Sequence, residues 1–281
     1  MMIRGHTLVW YSQKPNWVDD IQNVEEFRDV MRDHVETTLD HYRGRVHRWD
    51  VVNEAMADGI DWNGTYLRDW RATQLLGADY IAEAFQMAHD ADPDVELYYN
   101  DYNNDMAGAK ADQVYALVAD LVERGIPIDG VGFQLHVNAT PTQIAQGGMW
   151  ASLYPNYYNS GAFADNIDRY AALGLKVNIT EFDVRVRSPF HENEAPPDAP
   201  RSSEPITAAE ARLQAKVYYE YVSTCVEKYP ACDAITFWGV ADPYSWYATD
   251  PVLPFDGNYL PKPAYDAIMA ALQGVPYVAP Q

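Results

Sequence analysis

The fold class this sequence predicts is α/β, a TIM-barrel-like, incomplete (β/α)8 barrel of about six strand–helix units, and three observations predict it. Short apolar runs alternate with amphipathic stretches along the 281 residues. Several runs end in polar side chains, most clearly where Val51-Val52 leads into Asn53-Glu54, as buried parallel strands do at the rim of a barrel. No stretch has the composition of a linker, so residues 1–281 read as a single domain.

The elements follow in order. Residues 3–10 form a first apolar run. Asn23, with Glu26 three positions on, has the pattern of a capping box, and it opens a helix with Val24, Phe27, Met31, Val35 and Leu39 on one face, ending near Gly44. Residues 46–54 are the second strand, and 78–91 a helix stopped by Asp92-Pro93. A third strand over 95–99 leads into Asn100-Asp101-Tyr102-Asn103. The next helix buries a stripe of Val114, Leu117, Val118, Leu121 and Val122 and stops at Gly125.

Residues 130–137 are strand four, carrying Gln134 and His136 near its exit. A loop over 138–161 holds Trp150, Tyr154, Tyr157 and Tyr158, read as loop packing, and a helix over 163–173 follows. Strand five, 177–183, holds Glu181; the proline-rich loop 187–205 is read as extended. Thr207 with Glu210 is a second capping box, opening a helix that runs to Tyr229. Strand six, 234–238, and a helix over 262–272 close the chain, two units short of the eight that complete such a barrel.

Composition narrows the function classes. With 20 Lys and Arg against 41 Asp and Glu, the formal charge is −21, which disfavours nucleic acid and anionic membranes and suits a neutral substrate. No apolar run approaches the roughly 20 residues of a membrane span. The opening Met1-Met2-Ile3-Arg4 has no charged leader before an apolar segment, so no secretory signal is expected in this numbering. Cys225 and Cys232 are spaced to close a small disulfide loop or to remain free thiols, the two readings weighing equally. Two cysteines make no metal cluster, and His191-Glu192 lacks the second histidine of a zinc-protease helix; neither a metal nor a cofactor is expected. Gly130-Val131-Gly132 lacks the third glycine of a dinucleotide loop.

The chemistry rests on two acids at matching places, Glu54 at the end of strand two and Glu181 on strand five. Retaining glycosidases need such a pair about 5 to 5.5 Å apart, one as acid/base and one as nucleophile. Five segments make the resemblance specific: Arg4-Gly5-His6-Thr7-Leu8-Val9-Trp10, Trp49 to Ala55, Gln134-Leu135-His136, Ile179-Thr180-Glu181-Phe182-Asp183, and Trp238-Gly239 with Ser245-Trp246. In order and spacing they resemble the family 10 endo-β-1,4-xylanases, from the first residues to the last helix.

The resemblance implies a retaining endo-xylanase with Glu54 as acid/base and Glu181 as nucleophile. It implies that Asn53 bonds the sugar 2-hydroxyl and that His136 and Asp183 orient the nucleophile and help hold it ionised. It places His6, Trp10, Gln134, Trp238 and Trp246 around the sugar next to the cleaved bond, although the two tryptophans also suit a core. The implied partner is xylan or xylo-oligosaccharide, and the implied location extracellular. The chain departs from the family in lacking two leading βα units, so that it spans the third strand to the eighth helix of a complete barrel. Tyr11 also stands where the family usually has histidine. Open strand edges then predict self-association covering the gap. A different class of reading is a xylan-binding or assembly protein with impaired catalysis, which binding without turnover would reveal.

Overall fold

The computed structural model describes residues 2–139, 160–186, 206–247 and 250–279. These contain the six predicted strand–helix units, in an α/β arrangement with parallel strand pairing. The chain divides into two compact units.

The first unit comprises Met1–Asn104, Ala109–Phe133 and Arg169–Val177. Its centre is β3 (Arg48–Asn53), buried along its whole length. Two short strands, β1 (Arg4–Gly5) and β2 (Val9–Trp10), lie parallel to it, with Gly5 opposite Trp49 and Trp10 opposite Asn53. The single strand predicted over 3–10 is therefore two pieces. Between them the Thr7 hydroxyl and the Leu8 N–H both donate to the Asp50 carbonyl, which takes this segment out of the regular ladder. Gly5 is required here, because a Cβ would run into the Trp49 indole.

Next to β3 come β4 (Glu96–Asp101) and then β5 (Gly130–Phe133), both parallel. Helix α1 (Val24–Tyr42) starts where Asn23 Oδ1 accepts from the Glu26 N–H at 3.0 Å, and it buries Phe27, Met31, Val35 and Leu39, the predicted face without Val24. Fully burying side chains such as Val35 and Leu39 stabilises by about 1.5–3 kcal/mol each. A short helix α2 (Arg71–Leu76), absent from the sequence reading, precedes α3 (Asp79–Ala91). Helix α4 (Ala109–Glu123) buries Val114, Val118 and Leu121 of its predicted stripe, while Leu117 and Val122 are half-buried.

The second unit comprises Asp105–Gly108, Gln134–Asp168 and Asn178–Gln281. Strand β6 (His136–Asn138) pairs in parallel with β7 (Lys176–Arg185), setting His136 opposite Asp183, and β8 (Cys232–Phe237) also pairs with β7. The strand predicted over 130–137 is thus split into β5 and β6, because Leu135 takes the left-handed φ of 59° and interrupts the pleat. Helix α5 (Ser160–Ala172) begins in this unit; α6 (Ala208–Glu227) and α7 (Pro263–Leu272) lie within it.

The capping box at α6 forms as predicted. Thr207 Oγ1 accepts from the Glu210 N–H at 3.2 Å, and Glu210 Oε2 accepts from the Thr207 N–H at 2.8 Å. Phe182 on β7 packs on Tyr218 of α6 with ring centroids 4.7 Å apart, and stacks on Phe237 of β8. Cys225 and Cys232 are joined in a disulfide, which decides between the two readings of that pair and ties the end of α6 to the start of β8. The loop 187–205 and the aromatic group Trp150, Tyr154, Tyr157 and Tyr158 lie outside the described residues.

Candidate active site

Glu54 follows the last residue of β3, at the carboxyl end of a parallel strand. Its φ of 56° lies in the left-handed region, which glutamate adopts only when the surroundings impose it. The surroundings do so through the backbone. The Glu54 N–H donates to the Asn100 carbonyl at 2.9 Å, the Ala55 N–H to the Tyr99 hydroxyl at 3.1 Å, and the Met56 N–H to Asp101 Oδ2 at 3.4 Å.

Tyr99 in turn donates to Asp101 Oδ2, and Lys110 Nζ stands 3.0 Å from Asp101 Oδ1. Burial raises the Asp101 carboxyl above its ordinary value, against the lowering effect of Lys110. Burial also pushes the Tyr99 phenol well above its ordinary value, so it stays a neutral donor.

The Glu54 carboxylate accepts from Trp10 Nε1 and from Asn53 Nδ2, each at 3.2 Å. Asn53, almost fully buried, is oriented by Asn100, whose Nδ2 donates to its Oδ1 at 2.9 Å. His6 Nδ1 bonds Asp50 Oδ2 at 2.9 Å, and Arg4 also grips the buried Asp50 carboxylate through Nε. Trp10, Asn53 and Glu54 therefore come together in the first unit through the β2–β3 register, and His6 joins them with its ring centroid 6.3 Å from that of Trp10.

The second unit assembles the other half of the predicted set. His136 bridges two carboxylates from one strand, with Nε2 3.3 Å from Glu181 Oε2 and Nδ1 3.1 Å from Asp183 Oδ2. Burial lowers its pKa, but the Asp183 charge, the hydrogen bonds and the Glu181 charge outweigh that and carry it up to about 10. His136 is then an imidazolium at neutral pH, and both ring nitrogens donate.

Asp183 Oδ2 also accepts from Trp246 Nε1 at 2.7 Å. The Trp246 indole lies 4.9 Å from the His136 ring, with Trp238 at 6.4 Å. At 38% and 57% exposure, Trp238 and Trp246 are not core residues. Gln134 is buried and its carbonyl accepts from the Glu181 N–H at 3.0 Å, fixing the strand exit that carries the acid.

Sequence reasoning overlooked Arg68, Tyr99 and Asp101 as parts of the Glu54 surroundings. The polar exit Asn100-Asp101-Tyr102 was visible in the sequence, but nothing in it links Arg68 to residue 54.

The sequence profile of glycosyl hydrolase family 10 matches residues 1–271. Endo-1,4-beta-xylanase B of Thermotoga neapolitana is 37% identical over 283 residues, covering 97% of this chain and 70% of that protein. Among solved structures, xylanase 10B from Thermotoga petrophila RKU-1 in complex with xylobiose is similar with a TM-score of 0.80 at 35% identity, covering 98% of this chain and 74% of that one. A mutant of TsXylA, an intracellular xylanase from Thermoanaerobacterium saccharolyticum, in complex with xylotetraose, is similar with a TM-score of 0.77 at 29% identity, covering 95% of this chain and 75% of that one.

Proposed function

This chain belongs to glycosyl hydrolase family 10, and on that premise we propose that it hydrolyses internal β-1,4-xylosidic bonds of xylan by a retaining double displacement. It is a glycoside hydrolase whose relatives are endo-1,4-xylanases. Relatives complexed with xylobiose and xylotetraose support a xylo-oligosaccharide as the bound species. The observation that carries the reading is the difference in surroundings of the two acids. Glu181 faces His136, whose pKa is carried up to about 10, whereas Glu54 accepts from the neutral donors Trp10 and Asn53.

In the first step Glu54 donates its proton to the leaving glycosidic oxygen while Glu181 attacks the anomeric carbon, forming the glycosyl ester. In the second, ionised Glu54 takes a proton from water, which attacks the same carbon and releases Glu181. His136, held by Asp183, donates to Glu181 and fixes the attacking oxygen. Asn53 supplies the amide for the sugar 2-hydroxyl, and the residues proposed to contact the sugar are His6 and Trp10 in the first unit and Gln134, Trp238 and Trp246 in the second.

The decisive experiment is hydrolysis of xylan by the purified chain, with the product anomer followed by NMR. The β-anomer forms first, and Glu54→Gln and Glu181→Gln each lower the rate by at least about 10²-fold. Initial release of the α-anomer overturns retention. Xylan binding by calorimetry with no turnover overturns the enzymatic reading.

Two further proposals complete this reading. The chain self-associates through a second copy of itself, supported by two apolar grooves. One, of about 820 Å³ in the first unit, has Leu8, Val9, Trp17, Phe27, Met31 and Trp70 in its lining beside polar residues, and it also takes in His6 and Trp10 of the site. The other, of about 460 Å³ beside β8 in the second unit, is lined by Val222, Val226, Ile235, Phe237, Ile268 and Leu272. The protein works outside the cell, supported by the Cys225–Cys232 disulfide, since such bonds persist in oxidising surroundings. Recovery of the native protein from cell lysate rather than medium overturns that location.

A further inference from the structure

We propose that Arg68 is a positioning residue for Glu54, holding the acid/base on its left-handed backbone by taking the carbonyls of three consecutive residues. The inference rests on the reading of Glu54 as acid/base. Arg68 Nε donates to the Glu54 carbonyl and Nη2 to the Met56 carbonyl, each at 3.2 Å, while the Arg68 backbone N–H donates to the Ala55 carbonyl at 2.9 Å. On the amide side the same three residues are held by Asn100, Tyr99 and Asp101. Each backbone donor and acceptor of residues 54–56 therefore has a fixed partner, and one side chain supplies two of the six contacts.

The guanidinium is itself anchored. Nη2 donates to the Tyr102 hydroxyl at 3.1 Å, and the group lies over the Tyr11 ring, 4.1 Å from its centroid. Tyr11 thus provides the platform for this arginine. Tyr102 donates onward to Asp58 at 2.9 Å, which keeps its oxygen turned to accept from Arg68.

Only arginine fits the task. Its planar fork presents donors in fixed directions and reaches two carbonyls and a phenol together, whereas a lysine ammonium is a point charge with no such geometry. Glu54 stands at a φ of 56° that glutamate does not hold unaided. Releasing its carbonyl allows φ to relax, which swings the carboxyl away from the leaving oxygen while leaving Glu181, carried by β7, in place.

The test is kcat/KM for a series of aryl β-xylobiosides from dinitrophenyl to unsubstituted phenyl, on wild type, Glu54→Ala, Arg68→Met and Arg68→Lys. A misplaced acid matters only where the leaving group needs a proton. Arg68→Met is expected to lose roughly 10²-fold on the phenyl glycoside and no more than about threefold on the dinitrophenyl one, the leaning seen with Glu54→Ala. Arg68→Lys is expected to lean the same way to a smaller extent, and it carries the test if Arg68→Met does not fold. Equal loss across the series, or no loss, in a folded Arg68 variant overturns the inference and leaves the Glu54 assignment standing. A Glu54→Ala series with no dependence on the leaving group overturns the assignment itself, and the inference falls with it.

Discussion

With Glu181 Oε2 on one ring nitrogen and Asp183 Oδ2 on the other, His136 is fixed in place and in charge. That charge has a pH signature. Its folded pKa of about 10 exceeds the ordinary imidazole value, so the stability it contributes is complete below that ordinary value, near 6.5, and is lost as pH rises through about 10. The stability gap between wild type and His136→Asn, read as urea midpoints, is therefore expected to be largest near about pH 6 and to shrink by about pH 9.5. A gap that widens with pH means that the imidazole is neutral in the fold. The sequence marked His136 because Gln134 and Glu181 accompany it in recognisable segments. It could not mark Arg68, whose partners are carbonyl groups and an aromatic face, and whose importance lies in the backbone angle of another residue.

At the scale of the elements, periodicity was the reliable signal and continuity was not. The stripe of α1 and the Thr207 cap of α6 follow from side-chain spacing, which local geometry enforces. The breaks between β1 and β2 and at Leu135 come from contacts with other strands and from one unusual φ, neither of which leaves a pattern in an apolar run. The Cys225–Cys232 link illustrates a third case, in which spacing permitted the bond and only the folded arrangement of α6 and β8 decided it. Because it closes a loop of only a few residues, replacing both cysteines by alanine is expected to lower stability by about 2–3 kcal/mol, read from the midpoint of denaturant unfolding. The native protein should show no free thiol at either cysteine. An unchanged midpoint shows that the small loop is held by the packing of its ends alone.

For the whole molecule, the fold class was legible because alternation of strand and helix repeats six times, so that errors at single boundaries do not disturb the count. What covers the apolar faces was not legible, since a groove records the shape of a partner and not its identity. The self-association proposed above predicts a mass in solution, by light scattering at micromolar concentration, of a multiple of 31.8 kDa. A stable, well-folded monomer overturns it. The two compact units alternate along the chain in six segments, and Lys176–Val177 of strand β7 belong to one while Glu181 belongs to the other. Neither unit can be cut out or exchanged at a single point in the gene, because every such cut also severs the other. A single cleavage anywhere in the chain therefore leaves at least one of the two units in pieces.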